Sequence, residues 1–226
     1  MKIYIVAAIH GDELLGLKVV GRINRTGKNQ ILVRVGHPAA VAKHKRYLEE
    51  DLNRSFASKK DTIEAFIARD IKLEINKFNP DLVIDIHTSV TDTGRVAIVA
   101  KDNQLISYVA QALGMEKVVI MPKQLIDTSL IGLLPDISIS LEFGINNRSD
   151  KLASEISTRI ESLNISDLNL GTKLPTFEVY SQIDKNFSKL HAIKNLVFNE
   201  ELGGYPFLAG LNTYKTIGGF LAKKIS

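Results

Sequence analysis

The sequence of 226 residues contains no cysteine. The chain therefore has no disulfide, no thiolate metal site and no cysteine nucleophile. Apolar runs close to the roughly 20 residues needed to cross a bilayer are also absent, so we expect no transmembrane helix. The apolar N-terminal run leads into His10 and an acidic pair instead of a small-residue cleavage site, so we expect no signal peptide. These absences predict a soluble cytoplasmic protein with no membrane partner.

A large excess of charge of either sign is missing as well. The 29 basic and 25 acidic residues give a net charge of +4, and the basic residues are scattered apart from the cluster at 43–46. Nucleic-acid binding would need a longer basic stripe or a recognised module, so we expect no nucleic-acid partner. A mildly cationic surface instead favours a small anionic ligand.

Strand and helix patterns alternate over the first 163 residues. Apolar runs predict buried strands at 2–9, 30–35, 81–86, 95–100, 117–121 and 138–143. Amphipathic patterns predict helices after residue 12, from 58 or 61 to 79, over 102–113 and over 149–163. This alternation predicts an α/β fold with a mostly parallel mixed sheet and helices on both faces.

The pattern changes after Asn164. Short alternating segments, punctuated by glycine and proline, follow at 175–184, 192–199, 205–210 and 217–225. They predict a small β-rich C-terminal appendage. We therefore divide the chain into an α/β domain at 1–164 and a small β-rich domain at 165–226.

Three predicted strands end at a residue suited to metal or proton chemistry, namely His10, His87 and Glu142. Ligands of open α/β sheets bind outside the carboxyl ends of the strands. A single histidine is more often a satisfied polar residue near the core. Three such residues at the same kind of position argue against coincidence.

His10 and Glu13 form an H-x-x-E pair across a strand-to-helix turn. Together with His87 they give two histidines and one carboxylate, a ligand set suited to catalytic zinc with an open fourth position. Gly11 would let the backbone turn tightly at this point. We expect Asp12 to cap the helix that follows.

Two other acids have two interpretations each. Asp85 is either a partner of His87 behind the metal site or a buried acid at a strand end. Glu142, flanked by apolar residues, is either a general base with a raised pKa or an ordinary strand-end glutamate.

The charged segment 39–56 is long and irregular, which predicts a functional loop with short helical pieces. Its Arg46, Asn53 and Arg54 are able to hold a carboxylate, since guanidinium groups bind carboxylates in a bidentate manner. The other interpretation is a solvated loop surface with no ligand.

Four motifs taken together resemble a known family. They are HisGlyAspGlu at 10–13, ArgTyrLeuGluGluAspLeuAsnArg at 46–54, AspIleHisThr at 85–88 and LeuGluPheGly at 141–144. Their order and spacing resemble those of the aspartoacylase/succinylglutamate desuccinylase family, which belongs to the zinc carboxypeptidase-like superfamily. The resemblance covers most of the chain.

The resemblance implies a zinc site and a general base. By this similarity His10, Glu13 and His87 would bind one zinc ion per chain. Glu142 would activate the zinc-bound water.

The resemblance also implies contacts with the substrate. Arg46 would polarise the scissile carbonyl and stabilise the oxyanion. Asn53 and Arg54 would hold a substrate carboxylate. Tyr214 lies in a segment similar to the one that closes the family's site, which makes it a candidate substrate contact.

One position departs from the family pattern. Aspartoacylases carry a further arginine about ten residues before the catalytic glutamate, where it holds the second carboxylate of the substrate. Here 131–134 reads Ile-Gly-Leu-Leu, with Lys123 upstream and Arg148 after Glu142. The resemblance therefore leaves specificity for N-acetylaspartate open. The chain is also short for the family, mostly in its C-terminal β part.

The sequence thus predicts a zinc-dependent amidohydrolase that deacylates a small anionic N-acyl amino acid. One alternative is a metallocarboxypeptidase-like peptide amidase on the same scaffold. Another is a non-catalytic protein that holds an anion with its metal or arginines. The acyl group, the amino acid, the metal used in the cell and the oligomeric state stay open.

Overall fold

The computed structural model describes residues 1–165, 171 and 173–226. These residues contain a nine-stranded sheet with the order β2-β1-β3-β6-β4-β5-β7-β9-β8. The strands are β1 (Lys2–Ala7), β2 (Gln30–Val35), β3 (Leu82–Thr88), β4 (Arg95–Val99), β5 (Lys117–Ile120), β6 (Ser138–Phe143), β7 (Thr176–Asp184), β8 (Tyr205–Phe207) and β9 (Ile217–Lys224).

Helices connect most of these strands. They are α1 (Leu15–Val20), α2 (Pro38–Ala42), α3 (Ile63–Phe78), α4 (Gln104–Ala112), α5 (Lys123–Ile126), α6 (Leu130–Leu133) and α7 (Asp150–Glu161). Single 3-10 turns lie at Leu52–Arg54 and Leu190–Ala192. The segment 39–56 therefore is a loop with short helical pieces, as predicted.

The sheet is mixed but mostly parallel. β1 pairs in parallel with β2 and β3, and β3 pairs in parallel with β6. The pairs β4–β5 and β5–β7 are also parallel, whereas β4–β6, β7–β9 and β8–β9 are antiparallel. As a result, the carboxyl ends of β1, β3 and β6 meet at one edge of the sheet.

The alternating side chains of β1 show how the layers form. Ile3 and Ile5 pack in one cluster with residues of α1, α4 and α7. Tyr4 and Val6 point to the opposite face and pack with residues of α3. Period-two alternation in a strand thus buries both faces of the sheet under helices. The predicted α/β fold class is confirmed.

The C-terminal part is rich in strands, and these strands extend the same sheet. β7 joins β5 through the pairs Val118↔Thr176 to Ile120↔Glu178. The predicted strand at 192–199 is wrong, because Leu196 has a φ of 56° and interrupts the extended run. The boundary between residues 164 and 165 stays a prediction, and 166–170 and 172 lie outside the described residues.

Within the described residues, no helix is both long enough and apolar enough to span a membrane. The cytoplasmic location stays a prediction.

Candidate active site

The sheet delivers three polar side chains to its carboxyl edge. β1 ends at Ala7, and Ala8 turns the chain with a φ of 55°, a conformation uncommon for a residue other than glycine. His10 follows two residues later. His87 and Glu142 are register partners on the adjacent strands β3 and β6. The backbone of three parallel strands therefore brings these side chains together.

His10, Glu13 and His87 form a compact buried cluster. The Nδ1 atom of His10 lies 2.7 Å from Oε1 of Glu13, and the Nδ1 atom of His87 lies 2.9 Å from Oε2 of the same carboxylate. One ligand atom from each residue lies within 4.8 Å of the other two. Two imidazole nitrogens thus face one carboxylate in a space that could hold a metal ion.

The outer nitrogen of each histidine also contacts a carboxylate. Nε2 of His10 lies 3.0 Å from Oδ1 of Asp51, and Nε2 of His87 lies 2.7 Å from Oδ2 of Asp85. Carboxylates in these positions fix the orientation of histidines that bind metals and make them stronger ligands. Of the two interpretations of Asp85, the structure favours the partner of His87.

This set of donors fits a catalytic zinc ion. Two histidines and one carboxylate, each histidine backed by a further carboxylate, is a known arrangement for such sites. The backbone N–H of Thr88 donates to Oε2 of Glu13 at 3.0 Å and helps to hold that carboxylate in place.

Charges within the cluster strongly shift the pKa values of Glu13 and His87. Burial alone would raise the pKa of Glu13, but the charges of His10 and His87 lower this pKa well below its usual value. Burial alone would lower the pKa of His87, but the charges of Asp85 and Glu13 raise it well above its usual value. A metal ion competes with protons for these histidine nitrogens, so metal affinity depends on pH.

Glu142 lies beside this cluster with only 7% of its surface exposed. Burial raises the pKa of its carboxyl group to about 7, although the positive charge of His87 opposes the shift. A carboxyl group with a pKa near neutrality is suited to accept and return a proton. Of the two interpretations of Glu142, the structure favours the buried carboxyl group with a raised pKa, and its role in a reaction stays a prediction.

Arg46 reaches the cluster from the loop after α2. Its Nη1 lies 3.1 Å from Oε1 of Glu13, and its backbone carbonyl accepts the N–H of Gly11 at 3.0 Å. A side chain on Gly11 would place its Cβ 2.3 Å from the carbonyl carbon of Ala40. Gly11 is therefore needed for this close approach of two backbone segments.

A buried pair of residues holds the same loop from behind. Nε2 of His37 lies 2.9 Å from Oε1 of Glu64 on α3, and both side chains are fully buried. The same oxygen accepts the backbone N–H groups of Leu48 and Glu49 at 2.8 and 3.0 Å. Glu64 thereby fixes the segment between Arg46 and Asp51.

The predicted cap at Asp12 is wrong. The residue before α1 is Leu14, and no side chain caps this helix. The turn that brings Glu13 back to His10, closed by Glu13 N–H donating to the His10 carbonyl at 3.1 Å, delays the start of the helix. Asp12 lines the cavity instead.

All the side chains that we predicted for the site line one cavity of about 780 Å³. They are His10, Glu13, Arg46, Asn53, Arg54, His87, Glu142 and Tyr214. The structure therefore brings together residues that are up to 204 positions apart in the sequence, from His10 to Tyr214.

The residues proposed for substrate contact differ in their surroundings. Oδ1 of Asn53 is buried and has no hydrogen-bond partner among the described residues. Arg54 is exposed and its Nη1 donates to the Asn53 carbonyl at 3.1 Å. Tyr214 packs edge-on against Phe220 with 5.4 Å between ring centroids, and burial raises its pKa, so its hydroxyl stays protonated.

Sequence reasoning gave no role to Asp51 and Glu64. Both residues act through contacts with partners 41 and 27 positions away. Asp51 lies within the motif at 46–54 on which the family resemblance rests. That motif was the one sequence signal that could have indicated a role for Asp51. Glu64 has no such signal, because it reads as an ordinary acid in the first turn of α3.

A mixed α/β sheet thus carries a His-Glu-His cluster and a buried glutamate at its carboxyl edge. Residues 1–144 match the model of the succinylglutamate desuccinylase/aspartoacylase catalytic domain. The chain belongs to this family.

Individual relatives agree with this assignment. An N-acyl-aromatic-L-amino acid amidohydrolase (carboxylate-forming) of Xenopus laevis is 28% identical over 212 residues, covering 78% of this chain and 68% of that protein. Succinylglutamate desuccinylase of Chromobacterium violaceum has a TM-score of 0.79 at 16% identity, covering 100% of this chain and 85% of that one. Murine aminoacylase 3 has a TM-score of 0.69 at 19% identity, covering 100% of this chain and 95% of that one. The two structures show that the fold is shared.

Proposed function

We propose that this protein is a zinc-dependent deacylase that hydrolyses the amide bond of a small N-acyl amino acid. The observation that carries the proposal is a His-Glu-His cluster that shares one cavity with a buried glutamate of raised pKa. The name of the Xenopus laevis relative, an N-acyl amino acid amidohydrolase, supports the same reaction type.

In this proposal His10, Glu13 and His87 hold the zinc ion. When bound, zinc acts as a Lewis acid towards the scissile carbonyl and lowers the pKa of a bound water. Asp51 and Asp85 keep the two imidazole rings oriented through their hydrogen bonds to the Nε2 atoms.

Glu142 moves the protons. As a carboxylate it removes a proton from the attacking water, and as a carboxylic acid it then passes that proton to the nitrogen of the leaving amine. A pKa of about 7 suits both steps, because each protonation state is populated near neutral pH.

Arg46 stabilises the negative charge that develops on the carbonyl oxygen. A fixed donor contributes most at the atom where charge appears in the transition state. Asn53 and Arg54 bind the substrate carboxylate, and the hydroxyl of Tyr214 contacts the substrate.

The test is a hydrolysis screen of N-acyl amino acids, with metal analysis on the same sample. We expect one zinc ion per chain, release of free amino acid, loss of activity with a chelator and recovery with zinc. Bound zinc with no turnover across the panel would instead favour a non-catalytic protein that holds an anion. Cleavage of short peptides in preference to N-acyl amino acids would favour a carboxypeptidase-like amidase.

A further inference from the structure

One wall of the active-site cavity is apolar. Besides the polar residues described above, the cavity is lined by the exposed side chains of Val90 and Leu211 and by six buried, large apolar side chains, which we call the apolar wall. They are Ile98, Met121, Ile126, Ile131, Leu208 and Phe220. Sequence reasoning assigned no function to any of them.

The apolar wall is one continuous surface. Its six residues come from β4, α5, α6, β9 and the segments after β5 and β8, yet they belong to a single packed cluster. Each is at most 9% exposed. Tyr214 packs against the same cluster, so the wall and the predicted substrate contact are neighbours.

Among the described residues, no basic residue belongs to the apolar wall. The basic residues that line the cavity are Arg46, Arg54, Lys185 and Lys215. Arg46 contacts Glu13, and Arg54 donates to the Asn53 carbonyl. The ammonium of Lys185 donates to the carbonyls of Leu211 and Tyr214, and Lys215 is exposed.

The two basic residues nearest in sequence to Ile131 and Glu142 do not line the cavity. Arg148 donates to the carbonyl of Ser89, and Lys123 begins α5 outside the cavity lining. Gly132 cannot be replaced by a longer residue without a rearrangement, because a Cβ there would lie 1.8 Å from the carbonyl oxygen of Ile126. The apolar wall itself offers no cation to a second substrate carboxylate, which would lose its hydration there without forming an ion pair with the wall.

We propose that the apolar wall binds a bulky apolar group of the substrate. This inference rests on the proposed function. It narrows the substrate to an N-acyl amino acid with a single carboxylate, bound by Asn53 and Arg54, and with an apolar group against the wall. That group is either the side chain of the amino acid or the acyl chain, since both flank the scissile amide.

The first test compares kcat/KM for matched substrates of the zinc-loaded protein. One arm compares N-acetylleucine and N-acetylphenylalanine with N-acetylaspartate and N-acetylglutamate. The other arm compares N-hexanoylglycine with N-succinylglycine. We expect the apolar member to be preferred at least about tenfold in one arm, which identifies the group that contacts the wall. A smaller preference in both arms, or a preference for the dicarboxylates, overturns the inference.

Variants of the wall test the same point. Ile131→Arg is expected to lower the preference for the apolar substrate at least about tenfold, and Ile131→Val serves as the matched apolar control. If Ile131→Arg does not fold, Met121→Gln with Met121→Leu as its control replaces it, and the same direction is expected. An unchanged ratio of kcat/KM in a folded polar variant would contradict the inference.

A binding measurement separates the failure of this inference from the failure of the proposed function. Calorimetry on the zinc-loaded protein compares leucine with aspartate and hexanoate with succinate. If no amide is hydrolysed, the proposed function fails, and the calorimetry still tests the wall. Tighter binding of an apolar member supports the inference, whereas equal or tighter binding of both diacids overturns it.

Discussion

Glu142 shows how the surroundings of one side chain set its chemistry. Its neighbours in β6 are apolar, and its partner across the strands is His87. Burial raises its pKa to about 7, whereas the same residue in solvent would be fully ionised at neutral pH. A carboxyl group with a pKa near 7 can both accept and donate a proton at neutral pH, as a hydrolytic reaction requires.

A pH profile tests this state of Glu142. The general base must be deprotonated, so kcat is expected to rise with pH along a limb centred at or somewhat below 7, since a nearby zinc cation lowers the pKa. Steady-state rates from about pH 5 to about pH 9 measure this limb. The residual activity of Glu142→Gln should lack it, and a wild-type profile that is flat across this range would contradict the assignment.

Asp85 makes a separate prediction at the same scale. Its carboxylate orients His87, so Asp85→Asn is expected to weaken zinc binding by roughly 10- to 100-fold while the fold is retained. Competition with a chelator of known affinity measures the change. The control is Asp136→Asn, which removes a carboxylate paired with Lys101 on the surface. Equal zinc affinities for the two variants would contradict a role of Asp85 behind the metal site.

At the scale of elements, the loop between α2 and α3 is held by α3. One carboxylate oxygen of Glu64 accepts two backbone N–H groups of the loop and lies 2.9 Å from His37. Backbone N–H groups in an irregular segment lack the partners that a helix or a sheet would provide, and this oxygen accepts the hydrogen bonds of two of them. Arg46 and Asp51 flank Leu48 and Glu49 in the sequence. By holding Leu48 and Glu49, Glu64 therefore also restrains the positions of Arg46 and Asp51 in the candidate site.

Removing this anchor is expected to affect stability and activity together. Glu64→Ala leaves buried donors without an acceptor and should lower the free energy of unfolding by roughly 2–5 kcal/mol. It should also lower kcat, because Arg46 loses its fixed position. Urea unfolding and steady-state kinetics measure the two effects. Glu64→Gln keeps an oxygen at this position and should recover part of both, so equal losses in the two variants would argue against the anchor.

Most elements could be predicted from the sequence because each follows from local patterns. The apolar runs ending at His10, His87 and Glu142 marked strands whose carboxyl ends had to share an edge once the pairing was parallel. Asp12 was misread as a cap because the turn at Glu13 is set by contact with His10, which the local pattern does not contain. The strand expected at 192–199 failed for a similar reason, since Leu196 takes a left-handed conformation.

The apolar wall could not be predicted because it has no local pattern. Ile98 and Phe220 lie 122 positions apart, and each reads as an ordinary core residue of its strand. Only the pairing that adds β7 and β9 to the sheet brings them into one cavity.

At the scale of the whole molecule, the C-terminal part completes both the core and the cavity. Phe177, Phe207 and Phe220 pack in one cluster with Val96 and Val119 of the N-terminal part. The predicted zinc ligands all precede residue 144, whereas Tyr214 and part of the apolar wall follow it. The two predicted domains would therefore share a hydrophobic interface at the site.

A chain that ends at residue 164 tests this dependence. Loss of the three phenylalanines exposes the cluster and the edge of β5, so the free energy of unfolding should fall by at least ~3 kcal/mol. Urea unfolding of the truncated and full-length chains measures the difference. An unchanged stability of residues 1–164 would instead favour two independent domains.

The most direct test of the central claim is the turnover of Glu142→Ala, measured with a substrate that the wild-type protein hydrolyses and with zinc analysis of the same sample. We predict that the variant keeps one zinc ion per chain, because Glu142 is outside the His-Glu-His cluster. Its kcat should fall by roughly 10²- to 10⁴-fold, because the transfer of protons is lost. Retained zinc with a near-normal kcat would contradict the proposed mechanism.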